Sequence, residues 1–280
     1  PMAKNKSVYV CQNCGAESPK WIGRCPSCHE WNSYREEIIS TARTPAPGRD
    51  AVRRKPELLS GIEANENDRI TTGIGEVDRI LGGGMVKGSL ILMGGEPGIG
   101  KSTLALQIAL ARPERTVLYV SGEESEGQVK LRAKRLEGKN ERCFIYNETE
   151  LESVLTQTGV IKPELLIIDS IQTLSSSMLE SSAGSVTQVR ECAAMMLRYA
   201  KESGVPVILI GHITKDGTLA GPKVLEHIVD VVLQFEGDGN YLFRILRPVK
   251  NRFGSTAEIG IFEMRSKGLL EVTDPSELFI

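Results

Sequence analysis

The chain has 280 residues, 40% hydrophobic and 25% charged, a composition typical of a globular protein with one large core and a small additional module. The net charge of −2 does not indicate a nucleic-acid-binding protein overall, so any DNA contact has to come from local basic patches. We find no apolar run of the ~20 residues that span a membrane and no signal-peptide core, which predicts a cytoplasmic protein. Pro1 before Met2 is typical of a residue left by tag removal.

Four of the six cysteines form two C-x2-C pairs, at Cys11, Cys14, Cys25 and Cys28. Each pair directs two thiolates at one point, so together they predict a tetrahedral Zn²⁺ site in a module over residues 8–34. A segment this short cannot build a core, and metal binding should supply its folding free energy. The alternatives are two disulfides, which a cytosolic chain disfavours, and an iron–sulfur cluster. The other cysteines, Cys143 and Cys192, lie in apolar runs and are predicted to be buried thiols.

Both tryptophans of the chain, Trp21 and Trp31, fall in this module. We favour an apolar cover for the metal site, and an exposed interaction surface is the alternative. Zinc ribbons bind nucleic acid or protein, and Lys4, Lys6, Lys20 and Arg24 weakly favour a polyanion. His29 follows four thiolates that already fill the site, so it is expected to be exposed. Residues 35–60 are rich in proline, glycine and charge and predict a flexible linker.

Residues 95–103, GEPGIGKST, match the phosphate-binding P-loop pattern. An apolar run at 89–93 predicts a buried strand before the loop, and residues 103–111 predict a helix after it. The glycines let backbone N–H groups approach a phosphate, and the helix dipole favours an anion. We expect Lys101 to contact the β- and γ-phosphates and Ser102 to bind Mg²⁺. The predicted nucleotide-binding residues are Gly95, Glu96, Pro97, Gly98, Ile99, Gly100, Lys101, Ser102 and Thr103.

Strand and helix patterns alternate within the predicted large domain, residues 61–280. After a short helix near 74–81 and the P-loop elements come strands at 116–120, 143–146, 165–168 and 205–210, with helices at 125–136, 150–158 and 186–203. Fully apolar strands between helices predict an α/β fold with a mostly parallel sheet covered on both faces. Four further strands, at 231–235, 241–249, 258–263 and 269–272, predict an antiparallel extension.

Several polar residues follow predicted strands and therefore belong at the ligand end of the sheet. Asp169 ends an apolar strand in a Walker B pattern and is predicted to hold Mg²⁺. Glu123 is our choice for the base that polarises the attacking water, with Glu124 as the close rival. Either glutamate could instead cap the following helix. His212 could sense the γ-phosphate, and a hydrogen-bonded structural histidine is the alternative.

Lys250 and Arg252 stand two residues apart, so on a strand both point to one face. Spacing alone favours a solvated strand end. The alternative is a pair of cations for a phosphate chain, including one bound to a neighbouring subunit, where an arginine finger stabilises transition-state charge.

The chain resembles the bacterial RadA (Sms) family of DNA repair proteins over nearly its whole length. The matching features are the four-cysteine finger with SPKWIGRCP at 18–26, the P-loop, and the KNRFG motif at 250–254. The resemblance implies a RecA-like ATPase and reverses the interpretation of Lys250 and Arg252, which become catalytic residues that serve a neighbour's γ-phosphate.

The family further implies a hexameric, DnaB-like motor on single-stranded and branched DNA that uses ATP, Mg²⁺ and Zn²⁺. It would promote branch migration and D-loop extension with the RecA recombinase, with the replicative helicase as a further partner. Two DNA-gripping loops map to residues 175–185 and 214–222. Neither has the aromatic stacking residues of many single-strand binders, so phosphate contacts should dominate.

One departure is that the family continues into a Lon-protease-like domain, whereas this chain stops at Ile280. We therefore interpret the chain as a fragment and expect it to be monomeric or to form a filament. Two other hypotheses are a nucleotide-gated adaptor that recruits repair partners without translocating, and a KaiC-like signalling ATPase.

Overall fold

The computed structural model describes residues 6–39, 58–61, 69–212, 222–237 and 242–272. A small three-stranded sheet precedes a large sheet with helices on both faces. The strands are β1 Lys6–Cys11, β2 Glu17–Ser18, β3 Tyr34–Ile39, β4 Arg69–Ile70, β5 Met85–Val86, β6 Leu90–Gly95, β7 Val117–Ser121, β8 Cys143–Asn147, β9 Leu165–Asp169, β10 Val207–His212, β11 Val231–Glu236, β12 Phe243–Asn251, β13 Gly260–Arg265 and β14 Gly268–Glu271. The helices are α1 Gly75–Ile80, α2 Lys101–Leu110, α3 Glu126–Arg135, α4 Leu151–Ile161, α5 Val186–Ser203 and α6 Pro222–Ile228, with a 3₁₀ turn at Leu59–Gly61.

The small sheet has the order β2-β1-β3, and both pairings are antiparallel. Strand β3 pairs with β1 along its whole length, from Tyr34 opposite Cys11 to Ile39 opposite Lys6. The module therefore extends five residues beyond its predicted end at 34, into residues that we assigned to the linker. The charged run Arg35-Glu36-Glu37 hid this strand, because charge and the nearby prolines dominated the composition. Residues 40–57 of the predicted linker lie outside the described part of the chain.

The large sheet has the order β14-β13-β12-β11-β6-β10-β9-β7-β8. Strands β11, β6, β10, β9, β7 and β8 run parallel to one another, and β12 to β14 are antiparallel. This confirms the predicted α/β fold with a mostly parallel sheet. One detail was wrong: β11 belongs to the parallel set, because helix α6 carries the chain back across the sheet and lets β11 pair in parallel with β6.

Alternate side chains of the central strands are buried on opposite faces of this sheet. In β6, Ile91 and Met93 pack into the core on the side of α1 and α2, whereas Leu90 and Leu92 pack on the side of α4 and α5. Both faces of the sheet are therefore shielded from solvent, which explains the unbroken apolar runs that predicted these strands. No helix within the described residues is long and apolar enough to span a bilayer.

The parallel register brings the carboxyl ends of four strands to the same edge. His212 is paired with Gly95, and Asp169 is paired both with Ile210 and with Ser121. The segments that follow β6, β7, β9 and β10 therefore begin side by side. These are the segments that carry the predicted P-loop, Glu123, Asp169 and His212.

Candidate functional site

The P-loop connects β6 to α2 through glycines in backbone conformations that other residues rarely adopt. Gly98 has φ of +77° and Gly100 has φ of +119°. The space around the loop is also tight, since a Cβ at Gly100 would lie 2.8 Å from Cε of Met264. The helix begins at Lys101, directly after Gly100, so its unpaired backbone N–H groups face the loop.

Lys101 is buried at the start of α2 and folds back onto its own loop. Its Nζ donates hydrogen bonds to the carbonyl oxygens of Gly95 and Glu96, both at 2.8 Å. Burial lowers the pKa of Lys101 to about 8, although the carboxylates of Asp169 and Glu123 act in the opposite direction. Nearby negative charge stabilises the ammonium form of Lys101, and the phosphates of a nucleotide would supply such charge.

A cavity of about 310 Å³ opens at the loop and is large enough for a phosphate chain. It joins the segments after β6, β7, β9 and β10 and receives one side chain from β13. Its lining residues are Pro97, Gly98, Gly100, Lys101, Ser102, Thr103, Glu123, Glu124, Arg132, Asp169, His212 and Met264.

Asp169 is buried at the tip of β9 and held there by a tyrosine. The hydroxyl of Tyr119 donates to Oδ2 of Asp169 at 2.6 Å. Burial, together with this carboxylate, raises the pKa of Tyr119 well above its ordinary value, so the hydroxyl remains a donor. Sequence reasoning missed Tyr119, yet a hydroxyl inside an otherwise apolar strand signals a buried partner.

Glu123 faces the cavity within a chain of hydrogen bonds. Its Oε1 accepts from the hydroxyl of Ser170 at 2.6 Å and lies 2.9 Å from Nε2 of His212. Partial burial alone would raise the pKa of Glu123, but the contacts with Ser170 and His212 and the charge of Lys101 outweigh it, so the pKa lies below its ordinary value. The group is therefore a carboxylate at neutral pH.

Glu124, the rival of Glu123, has a different environment although both line the cavity. Its Oε1 forms an ion pair with Arg132 of α3. The helix itself is capped by Ser125, whose side chain accepts a hydrogen bond from the N–H of Gln128. Neither glutamate is therefore the cap of this helix.

The side chains at this edge fit a nucleotide with Mg²⁺. The hydroxyl of Ser102 and the carboxylate of Asp169 are hard oxygen ligands of the kind that Mg²⁺ prefers, and both line one cavity. Lys101 and the start of α2 supply the positive charge that phosphates need.

A buried arginine supports the loop from the antiparallel side of the sheet. Nε of Arg244, in β12, donates to the carbonyl oxygen of Ile99 at 3.2 Å. The side chain is only 7% exposed, which is rare for arginine and requires partners. Sequence reasoning missed Arg244, because nothing in the local pattern distinguishes it from a solvent-facing residue of an outer strand.

Lys250 and Arg252 lie far from the P-loop of their own chain. Lys250 is paired with Val232, and Val232 with Leu92, three positions before Gly95. Arg252 continues in the same direction, toward the amino end of β6. The structure therefore does not bring these two predicted catalytic residues to the cavity of the same chain.

The two cations make contacts on the side of the sheet that α5 and α6 cover. Nζ of Lys250 donates to the carbonyl oxygens of Glu226 and Val229, at 2.6 and 2.7 Å, and so caps the end of α6. Burial lowers the pKa of Lys250, and the charge of Arg252 acts in the same direction. NH1 of Arg252 lies 3.7 Å from Oδ1 of Asp230, and about half of the arginine side chain is exposed.

Asp230 is a buried carboxylate that ties together three elements. Its Oδ2 accepts from the backbone N–H of Leu90 at 3.0 Å and from Nζ of Lys201 at 2.8 Å. Lys201 also lies over the ring of Phe253, 5.6 Å from its centroid. Asp230 thus links the start of β6 and the end of α5 to the KNRFG segment, a role that the sequence pattern did not reveal.

The four predicted metal ligands converge in the amino-terminal module. Their sulfur atoms all lie within 4.8 Å of one another, with 3.7 Å between Cys11 and Cys28 and 3.5 Å between Cys14 and Cys25. Tetrahedral Zn²⁺ with Zn–S bonds of ~2.3 Å places its sulfurs about 3.8 Å apart, so the thiols fit this ion. None forms a disulfide, which excludes that alternative for the cluster.

The thiols of the cluster share their negative charge unequally. Burial alone would raise the pKa of Cys25, but the backbone N–H of Cys28 and the hydroxyl of Tyr34 help to lower it to about 6, whereas burial raises the pKa of its neighbour Cys14 to about 12. His29 is exposed and lies outside the cluster, as predicted. Cys192 is buried, as predicted, whereas Cys143 is only partly buried. Desolvation raises the pKa of Cys143 to about 11 and that of Cys192 to about 12.

The favoured interpretation of the tryptophans was wrong. Trp21 is 54% exposed and Trp31 is 65% exposed, and the buried cluster of the module consists of Cys11, Cys25 and Tyr34. These three residues suffice as the buried core of this small sheet, so the indole rings are left on the surface.

The first predicted DNA loop, residues 175–185, is organised by one buried glutamine. Nε2 of Gln188 donates to the carbonyl oxygens of Ser176 and Ser181, at 3.2 and 2.8 Å, and its Oε1 accepts from the N–H of Ser176 at 2.9 Å. The serine-rich composition of this loop conceals the anchor. Of the second loop, residues 214–221 lie outside the described part of the chain, and α6 begins at Pro222.

Comparisons with known proteins agree with this geometry. Residues 56–218, more than half of the chain, match an AAA domain family, and residues 9–36 match a rubredoxin metal-binding domain. The first match implies ATP and Mg²⁺, and the second, with the four-cysteine cluster, implies Zn²⁺, as the sequence predicted. A KaiC-like protein from Pyrococcus horikoshii OT3 has a similar fold, with a TM-score of 0.60 over 73% of this chain and 98% of its own at 22% identity.

Curated relatives share the whole length of the chain. It is 51% identical over 287 residues to the DNA repair protein RadA of Bacillus subtilis and 52% identical over 283 residues to that of Aquifex aeolicus. The chain spans 62% of the length of each. The predicted resemblance to the RadA family is therefore confirmed, and by its P-loop region the chain belongs to the AAA domain family.

Proposed function

We propose that the chain hydrolyses ATP and couples this to movement on single-stranded DNA in recombinational repair. The observation that carries the proposal is the cavity at which Lys101, Glu123 and Asp169 meet, while Lys250 and Arg252 lie level with the amino-terminal half of β6, away from that cavity. A site of this kind suits hydrolysis at an interface between two copies of the chain.

In the proposed mechanism, Lys101 leaves the carbonyl oxygens of its loop and binds the β- and γ-phosphates. Ser102 and Asp169 would hold Mg²⁺, which neutralises charge that develops on the phosphates. Glu123 accepts a proton from the attacking water. Its lowered pKa, its contacts with Ser170 and His212, and the engagement of Glu124 by Arg132 support this choice.

In this proposal His212 connects the hydrolysis site to a DNA-binding loop. Its Nε2 contacts Glu123, and its ring lines the cavity, so it can report the state of the γ-phosphate to the segment after β10. That segment is the second proposed DNA loop, which gives a physical route from hydrolysis to DNA grip.

Lys250 and Arg252 serve a neighbour's γ-phosphate in the proposed assembly. Asp230 orients the guanidinium of Arg252, and half of that side chain remains exposed for an interface. The resemblance to the RadA family supports a ring of six on single-stranded and branched DNA, with the RecA recombinase and the replicative helicase as partners.

The direct test is the rate of ATP hydrolysis with and without single-stranded DNA, followed by a strand-displacement assay on a branched substrate. We expect DNA to raise the hydrolysis rate and ATP to drive displacement. DNA binding with ATP turnover but without displacement would contradict the motor and favour the adaptor. Phosphate transferred to a serine or threonine of the chain would favour a signalling ATPase.

A further inference from the structure

The zinc module exposes a compact aromatic surface that nothing in the ATPase site uses. It consists of Trp21, Ile22, Arg24 and Trp31, and we call it the tryptophan surface. Its three apolar side chains are 54%, 38% and 65% exposed. Exposed apolar side chains grouped on so small a module mark a binding site, because they cost solubility without stabilising a core.

The two indole rings are arranged around one glycine. A Cβ at Gly23 would lie 3.6 Å from Cη2 of Trp21 and 4.0 Å from Cζ3 of Trp31, so both rings lie beside the same point of the backbone. The guanidinium of Arg24 covers Trp31, 5.6 Å from a ring centroid, and its Nε donates to the carbonyl oxygen of His29 at 3.1 Å. These contacts set the orientation of Trp31 before any ligand arrives.

The charge around the rings favours a polyanion. Lys20 and Arg24 are exposed and flank Trp21 in the chain. Between Ser18 and His29 the sequence has these two cations and no carboxylate, and the exposed carboxylates Glu17 and Glu30 stand on either side of this stretch. Single-strand binders combine aromatic rings, on which bases stack, with cations that follow the phosphates, and the tryptophan surface offers both.

We propose that the tryptophan surface binds single-stranded DNA, with unpaired bases stacked on Trp21 and Trp31 and phosphates held by Lys20 and Arg24. The inference rests on the proposed function, since DNA is its ligand there. It adds a base-stacking site to a chain whose two proposed DNA loops lack aromatic residues.

Tryptophan emission, excited selectively over the six tyrosines, reports on this surface alone, because Trp21 and Trp31 are the two tryptophans of the chain. Titration of the zinc-loaded chain with oligothymidylate should quench the tryptophan emission in a saturable manner. A sugar–phosphate polymer of equal length without bases should bind more weakly and quench little. Equal binding and quenching by both polymers would overturn stacking.

Substitutions test the same surface by affinity. Trp21→Ala and Trp31→Ala should each weaken binding of oligothymidylate roughly tenfold, the size of one lost base–aromatic stack, and Phe at either position should restore part of it. Leu131→Ala in α3 is the matched control, since Leu131 is 63% exposed and distant in sequence from the module. Zinc content of each variant shows whether the module remains folded. Unchanged affinity in the zinc-loaded double alanine variant would overturn the proposal.

The outcomes separate this inference from the proposed function. A chain that neither binds oligothymidylate nor hydrolyses ATP faster in its presence contradicts both. A chain that does both, but whose tryptophan emission and tryptophan variants do not respond, contradicts only the stacking site and favours a protein ligand for the tryptophan surface.

Discussion

The two ends of strand β6 differ in how their charged groups are used. At the carboxyl end, Lys101, Glu123 and Asp169 line one open cavity. At the amino end, Lys250 is bound to carbonyl oxygens of α6, and Arg252 lies near Asp230. The carboxyl end is arranged to bind a ligand in the cavity. The amino end presents the half-exposed guanidinium of Arg252, which does not reach the cavity of the same chain.

A buried aspartate at each end makes the contrast clearer. Asp169 is held by a neutral tyrosine hydroxyl, so its negative charge remains directed at the cavity. Asp230 is contacted by Lys201 and Arg252, so its charge is compensated within the chain. The same residue type thus serves a ligand site at one end and an internal brace at the other, and the difference lies in its partners.

The largest expected effect is at Arg252. In the proposed interface Arg252→Ala removes an arginine finger, so ATP hydrolysis should fall by about 10³–10⁵-fold while ATP binding remains. Hydrolysis rates and nucleotide affinity measured on the same sample check this. Arg265→Ala is a control, because Arg265 pairs with Glu263 on the exposed side of β13. An equal loss of ATP affinity and hydrolysis would contradict a role confined to the transition state.

The two glutamates after β7 provide a matched pair. Glu123→Gln should lower the hydrolysis rate by about 10²–10⁴-fold, because it removes the proposed base and keeps its shape. Glu124→Gln disturbs only the ion pair with Arg132 and should change the rate far less. Single-turnover hydrolysis of bound ATP measures both. If Glu124→Gln has the larger effect, the assignment of the base is wrong.

The titration of Lys101 should make the affinity for ATP depend on pH. Its pKa of about 8 means that the free chain loses this positive charge above pH 8. Phosphates favour the ammonium form, so ATP binding above pH 8 requires proton uptake, and affinity should fall by up to about tenfold per pH unit. Calorimetry in buffers of different ionisation enthalpy measures the uptake. Lys101→Ala should bind ATP weakly at all pH values, and a persistent pH effect in that variant would assign the titration to another group.

The smallest expected effect concerns the brace at the amino end. Asp230→Ala leaves the buried N–H of Leu90 without its side-chain acceptor, and the free energy of unfolding should fall by about 1–3 kcal/mol. Glu263→Ala, which breaks an exposed pair on β13, should change it by less than about 1 kcal/mol. Urea unfolding followed by circular dichroism compares the two. Equal effects would contradict a structural role for Asp230.

The sequence predicted the elements of the large sheet well, because strands buried on both faces must be apolar along their length. Ile91 and Leu92 show this, since each faces a different core. The P-loop, Asp169 and the four cysteines were also accessible, because their chemistry depends on spacing along the chain. In each case the signal is local.

The features that sequence reasoning missed depend on contacts between distant segments. Tyr119 of β7 contacts Asp169 of the neighbouring strand β9, 50 residues further along the chain, and Arg244 of β12 contacts Ile99 of the P-loop. The tryptophans were misjudged for a related reason: hydrophobicity predicts burial, but whether a ring is covered depends on how much core the small sheet needs. No local pattern contains that information.

The central claim is that a complete catalytic site combines the P-loop of one chain with Arg252 of another. The most direct measurement mixes Lys101→Ala with Arg252→Ala and records ATP hydrolysis, with sedimentation to show that the two variants assemble together. Each variant alone should be inactive, and the mixture should recover activity, because an intact P-loop then faces an intact Arg252. Mixed assemblies that remain inactive would contradict the claim.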